Sequence, residues 1–264
     1  MDYAALSKAA QSLAKDHPNC GLDVIGVSRQ GRGLLVLTLS SDAGTADSRP
    51  ALLITAGLDA RHRLGVETAY RTAKRLLEEQ ADALNQMTVY VIPCANPDGL
   101  EFNRPLNAGH IGTLRVVDDD RDGAADEDGP KDLNGDGIIS QMRRIDAPLD
   151  DPPTMMADPA CPRLLKTPDS LKGEHATYSI YAEGLDQDGD GRIAEDGLGE
   201  VDLDRNFMHR WPEHESGAGP YQLSEPESAA LAKFVIEHRN IVMALTYGRH
   251  DNLINTPDGR GNDV

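Results

Sequence analysis

The sequence predicts an α/β protein built around a largely parallel sheet, with a long acidic insertion at one edge or face. Three observations carry that prediction. Residues 51–57 (ALLITAG) and 87–93 (MTVYVIP) are continuous apolar runs of strand length, as central buried strands require. A helix-periodic stretch lies between them, and strand–helix–strand alternation is the mark of parallel pairing with helices on the faces. Residues 118–136 and 183–204 each hold nine acids and together carry −15 of the net charge of −18. Acid that dense requires a cation or open solvent around it.

In chain order, residues 2–16 place Leu6, Ala9, Ala10 and Leu13 at helical spacing and stop before Pro18. LDVIGVS and GLLVLTLS are two strand-like runs joined by RQGRG, a hairpin signal. After the first buried run, residues 65–84 form a helix with Ala69, Ala73, Leu76 and Leu77 on one face. The second run ends at a turn, NPDG, residues 96–99. A polar region with little periodicity occupies about 103–220 and is rich in Asp and Gly. SEPESAALAKFVIEH is a helix, with Ser224 as N-cap and Glu227 completing a capping box. IVMALTY, 241–247, is a last strand. The expected architecture is a three-layer α/β/α domain over 1–264, interrupted by an acidic loop-rich insertion over 103–200.

The chain's 264 residues are ample for a core. Its net charge of −18 argues against a nucleic-acid partner. No apolar run approaches membrane-spanning length, so no membrane partner is expected. The N-terminus lacks the basic end and apolar stretch of a signal peptide, which suits a cytoplasmic protein or a processed secreted or periplasmic one. Cys20, Cys94 and Cys161 are too few and too scattered for a disulfide scaffold and read as plain thiols.

The insertion contains a repeat. Residues 118–129 (DDDRDGAADEDG) and 186–197 (DQDGDGRIAEDG) share D-x-D-x-D-G-x-x-x-E-D-G, and 132–143 (DLNGDGIISQMR) keeps D-x-N-x-D-G. A calcium ion takes about six to eight oxygens, alternating acids on a curling backbone can supply them, and the glycine permits the sharp turn. The expected calcium ligands are Asp118, Asp120, Asp122 and Glu127 in the first copy. Asp132, Asn134 and Asp136 are those of the short copy, and Asp186, Asp188, Asp190 and Glu195 those of the last. The first half resembles EF-hand and dockerin-type loops. The second half departs from them, with Gly, Gly and Arg at the twelfth position where an EF-hand has Glu. Structural calcium, not a sensor that opens, is the expectation.

Just past the first buried run, Asp59 and His62 stand three apart, and zinc accepts both ligand types. Alone, D-x-x-H is also an ordinary polar loop. Five ordered segments give it context. These are IGVSRQGRGLLVLTLS, ITAGLDARHRLGVETA, VYVIPCANPDGLEF, EVDLDRNFMHRWP and GPYQLSEPESAALAKFV. Together they resemble the zinc carboxypeptidase family, the carboxypeptidase A/B-like metallopeptidases. The resemblance implies a mixed eight-stranded sheet between helices. It also implies a zinc hydrolase that removes C-terminal residues from peptides, so the expected partner is a peptide or peptide-like substrate.

Carried over residue by residue, Asp59 falls on the family's first zinc His and His62 on its zinc Glu, so the two ligand types are exchanged. Arg61 matches the substrate-binding arginine between them. Arg205 matches the arginine that grips the terminal carboxylate, and Asp204 stands where the family has Asn. The third zinc ligand aligns with Gly248. His250, two residues on, is the best substitute, with Tyr247 and Asp251 as further candidates. Arg143, or Arg144 beside it, is the candidate for the oxyanion arginine. The family's general-base Glu has no counterpart, so none is assigned, and the domain is expected to be C-terminally incomplete. These departures leave a second reading open, a catalytically altered or inactive binding module on the same fold.

Overall fold

The computed structural model describes residues 1–103, 109–116, 129–145, 151–187, 189, 191, 193–194, 200–248 and 254. The chain divides into two compact units, Met1–Arg115 with Glu200–Val264, and Val116–Gly199. The first unit opens with α1 (Tyr3–Asp16), β1 (Cys20–Val27), β2 (Gly33–Leu39) and β3 (Ala51–Ala56). It continues with α2 (Arg63–Glu79), β4 (Thr88–Ile92) and the short α3 (Pro97–Phe102). The second unit holds β5 (Gln141–Arg144), β6 (Met156–Asp158), β7 (Cys161–Lys166) and β8 (Ser179–Ala182). The first unit then resumes with α4 (Pro226–Glu237) and β9 (Ile241–Tyr247).

The main sheet has the order β1-β2-β4-β3-β9. It is mixed, as expected. β1 and β2 form the antiparallel hairpin, β2 pairs antiparallel with β4, and β3 runs parallel to both β4 and β9. Parallel pairing is thus confined to β4-β3-β9, and the described main sheet has five strands, not eight.

Period-2 alternation divides the core between the two faces. Leu35, Leu37, Leu39, Ile54, Ala56, Val89 and Val91 pack with Ala10, Leu13, Ala69, Ala73 and Leu77 of α1 and α2. Val36, Leu53, Tyr90 and Ile92 point the other way, against Leu231 and Phe234 of α4. The three layers follow from that division. Asp2 caps α1, accepting from the Ala5 N–H at 2.8 Å. Helix α2 ends at Glu79, and the rest of its expected length is a 3₁₀ turn, Ala81–Asn85.

The expected cap of α4 is not formed. The helix begins at Pro226 with Glu225 as N-cap, and no side chain caps it. Proline suits the first helical position and fixes the start one residue later than a Ser224 cap would. The Ser224 hydroxyl donates to Glu225 Oε1 at 3.0 Å and accepts from Asn206 Nδ2 at 3.0 Å. Glu227, the expected partner of the capping box, is buried with neither carboxylate oxygen hydrogen-bonded.

In the second unit β5 pairs with β8 and β6 with β7, both antiparallel. The described flanks of its acidic loops are strands: β5 follows the loop at 132–137, and β8 precedes the one at Asp186. Among the described residues no helix is long and apolar enough to cross a membrane.

Candidate active site

Open α/β sheets bind ligands beyond the carboxyl ends of their parallel strands, and β4, β3 and β9 run parallel and end side by side. In the first unit Ala56 of β3 stands beside Tyr247 of β9. Beyond β3, Ala95 N–H donates to Ala56 O and Asn96 N–H to Gly57 O, both at 2.9 Å, so the chain after β4 stays bound to the chain after β3. Gly57 turns the chain with φ +68°, where a Cβ would lie 2.9 Å from Val66. Asp59, Ala60, Arg61 and His62 follow before α2 begins.

The NPDG turn supports this corner. Asn96 caps α3, its Oδ1 accepting from Gly99 N–H at 2.9 Å, and its Nδ2 donates to Gly112 O at 2.6 Å. A Cβ on Gly99 would lie 2.5 Å from Ala60 Cβ, so the glycine lets the corner rest on the turn. Ala60 N–H donates to Ile111 O at 2.9 Å, and Ile111 and Gly112 N–H groups both donate to Glu200 Oε2 at 2.9 and 3.0 Å. Asp98 is fully buried and accepts from Ser28 Oγ, Gln30 N–H and Arg32 Nη1 at 2.7, 2.9 and 2.7 Å. The β1–β2 turn is thereby tied to the same support.

Asp59 is buried, and both its oxygens are engaged by Arg61. Oδ1 accepts from Arg61 N–H at 2.9 Å and Nε at 3.1 Å, and Oδ2 accepts from Nη2 at 2.9 Å. The Asp59 hydrogen bonds hold the Arg61 pKa above its usual value, and the nearby charges of Glu200 and Asp202 add to that. His62 Nδ1 lies 3.3 Å from the Tyr247 carbonyl. Gly65 makes that approach feasible, since a Cβ there would lie 2.7 Å from both His62 Nδ1 and Tyr247 O. An imidazole that donates Nδ1–H to a carbonyl keeps Nε2 as a metal ligand.

This donor chemistry suits zinc at two positions, a carboxylate and an oriented imidazole. The third, His250, lies outside the described residues, as does Asp251. Among the described residues no group of three His, Cys, Asp or Glu gathers as a metal site.

Arg205 ends a 3₁₀ turn, Leu203–Arg205, capped by Asp202, whose Oδ1 accepts from Asp204 N–H at 3.0 Å. Its guanidinium pairs with Glu215. The next residue, Asn206, is fully buried and holds the turn against α4. Its Nδ2 donates to Ala218 O, Tyr221 O and Ser224 Oγ, and its Oδ1 accepts from Glu225 N–H and Ser228 Oγ. Glu225 is also fully buried, accepting from Arg29 Nε, Thr113 Oγ1 and Arg115 Nη1 at 2.7, 2.9 and 2.9 Å. Burial pushes its pKa up, but the bonds from Arg29, Thr113 and Arg115 outweigh that and leave it lowered. Asn206, Glu225 and Glu200 bear on the site, and no sequence spacing singled them out.

The other expected residues belong to the second unit. Arg143, on β5, stacks over the Tyr178 ring at 4.9 Å and donates to Pro162 O, while Arg144 donates to Gly191 O. Of the calcium candidates, Asp118, Asp120, Asp122, Glu127, Asp188, Asp190 and Glu195 lie outside the described residues. The described ones share a local conformation. Asp132 Oδ1 accepts from Gly135 N–H and Oδ2 from Gly137 N–H, both at 2.7 Å. Asp186 does the same with Gly189 and Gly191, at 2.7 and 3.1 Å. Asn134 Oδ1 accepts from Asp136 N–H at 2.8 Å. Glu183, buried, accepts from the N–H groups of Leu133, Asn134 and Ser140 and from the Ser140 hydroxyl.

Residues 6–130 match the family model for zinc carboxypeptidase. A zinc carboxypeptidase of Saccharothrix mutabilis subsp. capreolus is 34% identical over 117 residues, covering 37% of this chain and 27% of its own length. Carboxypeptidase B of Astacus astacus is 30% identical over 105 residues, covering 38% of this chain and 34% of its own length. The chain therefore spans about a third or less of the curated relatives it matches. Among solved structures, carboxypeptidase A from Helicoverpa armigera superposes with a TM-score of 0.58 at 18% identity, over 93% of this chain and 45% of that one. Bovine thrombin-activatable fibrinolysis inhibitor, solved with tick carboxypeptidase inhibitor, gives 0.56 at 15% identity over 93% and 59%. The chain has the fold of these carboxypeptidase structures and, over residues 6–130, is similar in sequence to zinc carboxypeptidases.

Proposed function

We propose that the protein is a metallopeptidase of the carboxypeptidase type, cleaving a peptide bond at a chain end, with zinc held by Asp59, His62 and His250. The observation that supports this best is the corner itself. An acid and an oriented imidazole follow the central parallel strand, inside the segment similar to zinc carboxypeptidases. When bound, zinc would act as a Lewis acid and lower the pKa of a water molecule. The chain's own residues supply positioning. Asp59 fixes the Arg61 guanidinium through two parallel hydrogen bonds, which aims its remaining donors at a substrate carbonyl or carboxylate. Arg205 would hold the end group of the peptide, after displacing Glu215 from an exposed ion pair that costs about 0–1 kcal/mol to break. Asp204 beside it lowers the affinity of that position for a second carboxylate. No residue is assigned as general base.

Structural calcium in the D-x-D/N-x-D-G loops of the second unit is part of the same proposal. Its support is the recurrence of one loop conformation at Asp132 and Asp186.

The experiment is metal analysis with a peptide-hydrolysis assay on wild type and His62→Ala. Near-stoichiometric zinc and turnover, both lost in the variant, support the proposal. Absence of zinc, with none taken up on addition, rejects the metal. The binding-module reading is favoured by the Asp59–Arg61 pairing, which engages both oxygens of the first ligand. It gains if peptide binds without turnover and no zinc is retained.

A further inference from the structure

Glu227 has no role in the proposed chemistry, yet it is among the most confined carboxylates in the molecule. It is 1% exposed, lies in the first turn of α4, and neither oxygen makes a well-formed hydrogen bond; the backbone N–H groups of Glu227 itself and of Arg29 lie near enough to offset part of its burial. Two more fully buried carboxylates act on it electrostatically, Asp98 from α3 and Glu225 from the N-cap of α4. Arg29 faces it from the β1–β2 turn. The three guanidiniums of this cluster spend their hydrogen bonds elsewhere: Arg29 and Arg115 on Glu225, Arg32 on Asp98. A carboxylate so enclosed is costly to ionise and tolerable when neutral.

We propose that Glu227 is a proton-operated latch: neutral, it lets the first turn of α4 seat on the β1–β2 turn and α3; ionised, it loosens that seat. Its reach extends to the candidate site through one residue. Ser228 Oγ donates to Asn206 Oδ1 at 2.6 Å, Glu225 N–H donates to the same oxygen at 3.2 Å, and Asn206 is the neighbour of Arg205. A Cβ on Gly219 would lie 2.5 Å from Ser224 Oγ and 2.7 Å from Asn206 Nδ2, so this junction has little slack. Loosening the helix start therefore loosens the backbone that carries Arg205.

Burial, reinforced by Asp98 and Glu225 and only partly offset by the backbone N–H groups of Glu227 and Arg29, raises the Glu227 pKa from 4.5 to about 7. A group whose folded-state pKa is raised stabilises fully below its unfolded value, and that stability is lost as pH rises through the folded value. Between pH 4.5 and above 7, the folded-to-unfolded ratio of wild type should fall roughly 300-fold relative to Glu227→Gln.

The test measures denaturant unfolding of the full chain from pH 5 to 8.5, for wild type and Glu227→Gln. It adds hydrogen exchange of the amides at 204–207 and 225–229, corrected for intrinsic rates. A widening stability gap in favour of the variant is expected, with amides that lose protection across pH 7 in wild type alone. Parallel stability profiles, or pH-independent protection at both segments in wild type, would overturn the latch. Should the variant fail to fold, carboxyl ¹³C NMR on wild type decides: one glutamate must titrate near pH 7, and none doing so between 6 and 8 overturns the proposal. None of these readouts requires zinc or turnover, so the latch stands or falls independently of the peptidase reading.

Discussion

Asn206 shows how much one side chain can organise. It saturates its amide with three donated and two accepted bonds, in a place water does not reach. Replacing it by Ala leaves several buried groups unsatisfied at once, each worth about 1–3 kcal/mol. Asn206→Ala should therefore lose about 3 kcal/mol or more in urea unfolding; a loss below about 1 kcal/mol would mean that the network is dispensable. Glu183 plays the matching part in the second unit. Backbone and side-chain bonds from Ser140, with N–H bonds from Leu133 and Asn134, hold its carboxyl down to about 2 from 4.5, against the opposing effect of burial. A depressed carboxylate stabilises above its unfolded pKa and loses that contribution as pH falls through the folded one. Amides at 133–140 should thus lose exchange protection in acid between pH 4.5 and 2. In Glu183→Gln that pH dependence should vanish, with protection already weaker at pH 7.

At the scale of elements, the glycine that opens α2 places the imidazole. Gly65→Ala would drive a methyl group into His62 and the Tyr247 carbonyl, and overpacking of this kind costs about 1–3 kcal/mol. Denaturant unfolding should show that loss. A zinc-competition titration should show affinity down about 10-fold or more, as is usual when a ligand's supporting hydrogen bond is disturbed. The same scale explains what was legible in advance. The runs ALLITAG and MTVYVIP are buried on both faces, so hydrophobicity alone exposes them as β3 and β4. The NPDG turn carries its own local chemistry in Asn96 and Gly99. The strands of the second unit leave no such signal, because QMRR and CPRLLK are short and largely exposed and carry no apolar alternation. SEPE reads locally as a capping box because the donors that claim Glu225 come from Arg29 and Arg115, 196 and 110 residues away. Long-range pairing of that kind leaves no local trace. Of the candidate site, spacing offers Asp59 and His62 and the family resemblance adds Arg61, whereas Glu200 and Asn206 become visible only through folding.

For the molecule as a whole, the acidic charge sets conditions of stability. Nine acids in 118–136 and nine in 183–204 load these two segments with self-repulsion. Calcium that binds only the folded loops adds stability by mass action, about 2.7 kcal/mol at a hundredfold excess over its dissociation constant. Hydrogen exchange with and without calcium should therefore show protection gained within 129–145 and 179–187. Equal protection in calcium and in chelator would remove calcium from the account.

The tip of the β1–β2 hairpin is tied at Asp98 and, through Arg29, at Glu225. That arrangement sets an order of events in folding. A hairpin near the start of the chain closes on the microsecond scale, yet its turn finds its last partner only when residues near 225 have left the ribosome. At about 5–20 residues per second the wait is on the order of ten seconds or more. During it Arg29 remains hydrated and the α4-facing side of the sheet, with Val36, Leu53 and Tyr90, stays uncovered. The nascent protein is most exposed to misassembly not at its acidic loops but along this bare apolar face, and α4 is the element that ends the exposure.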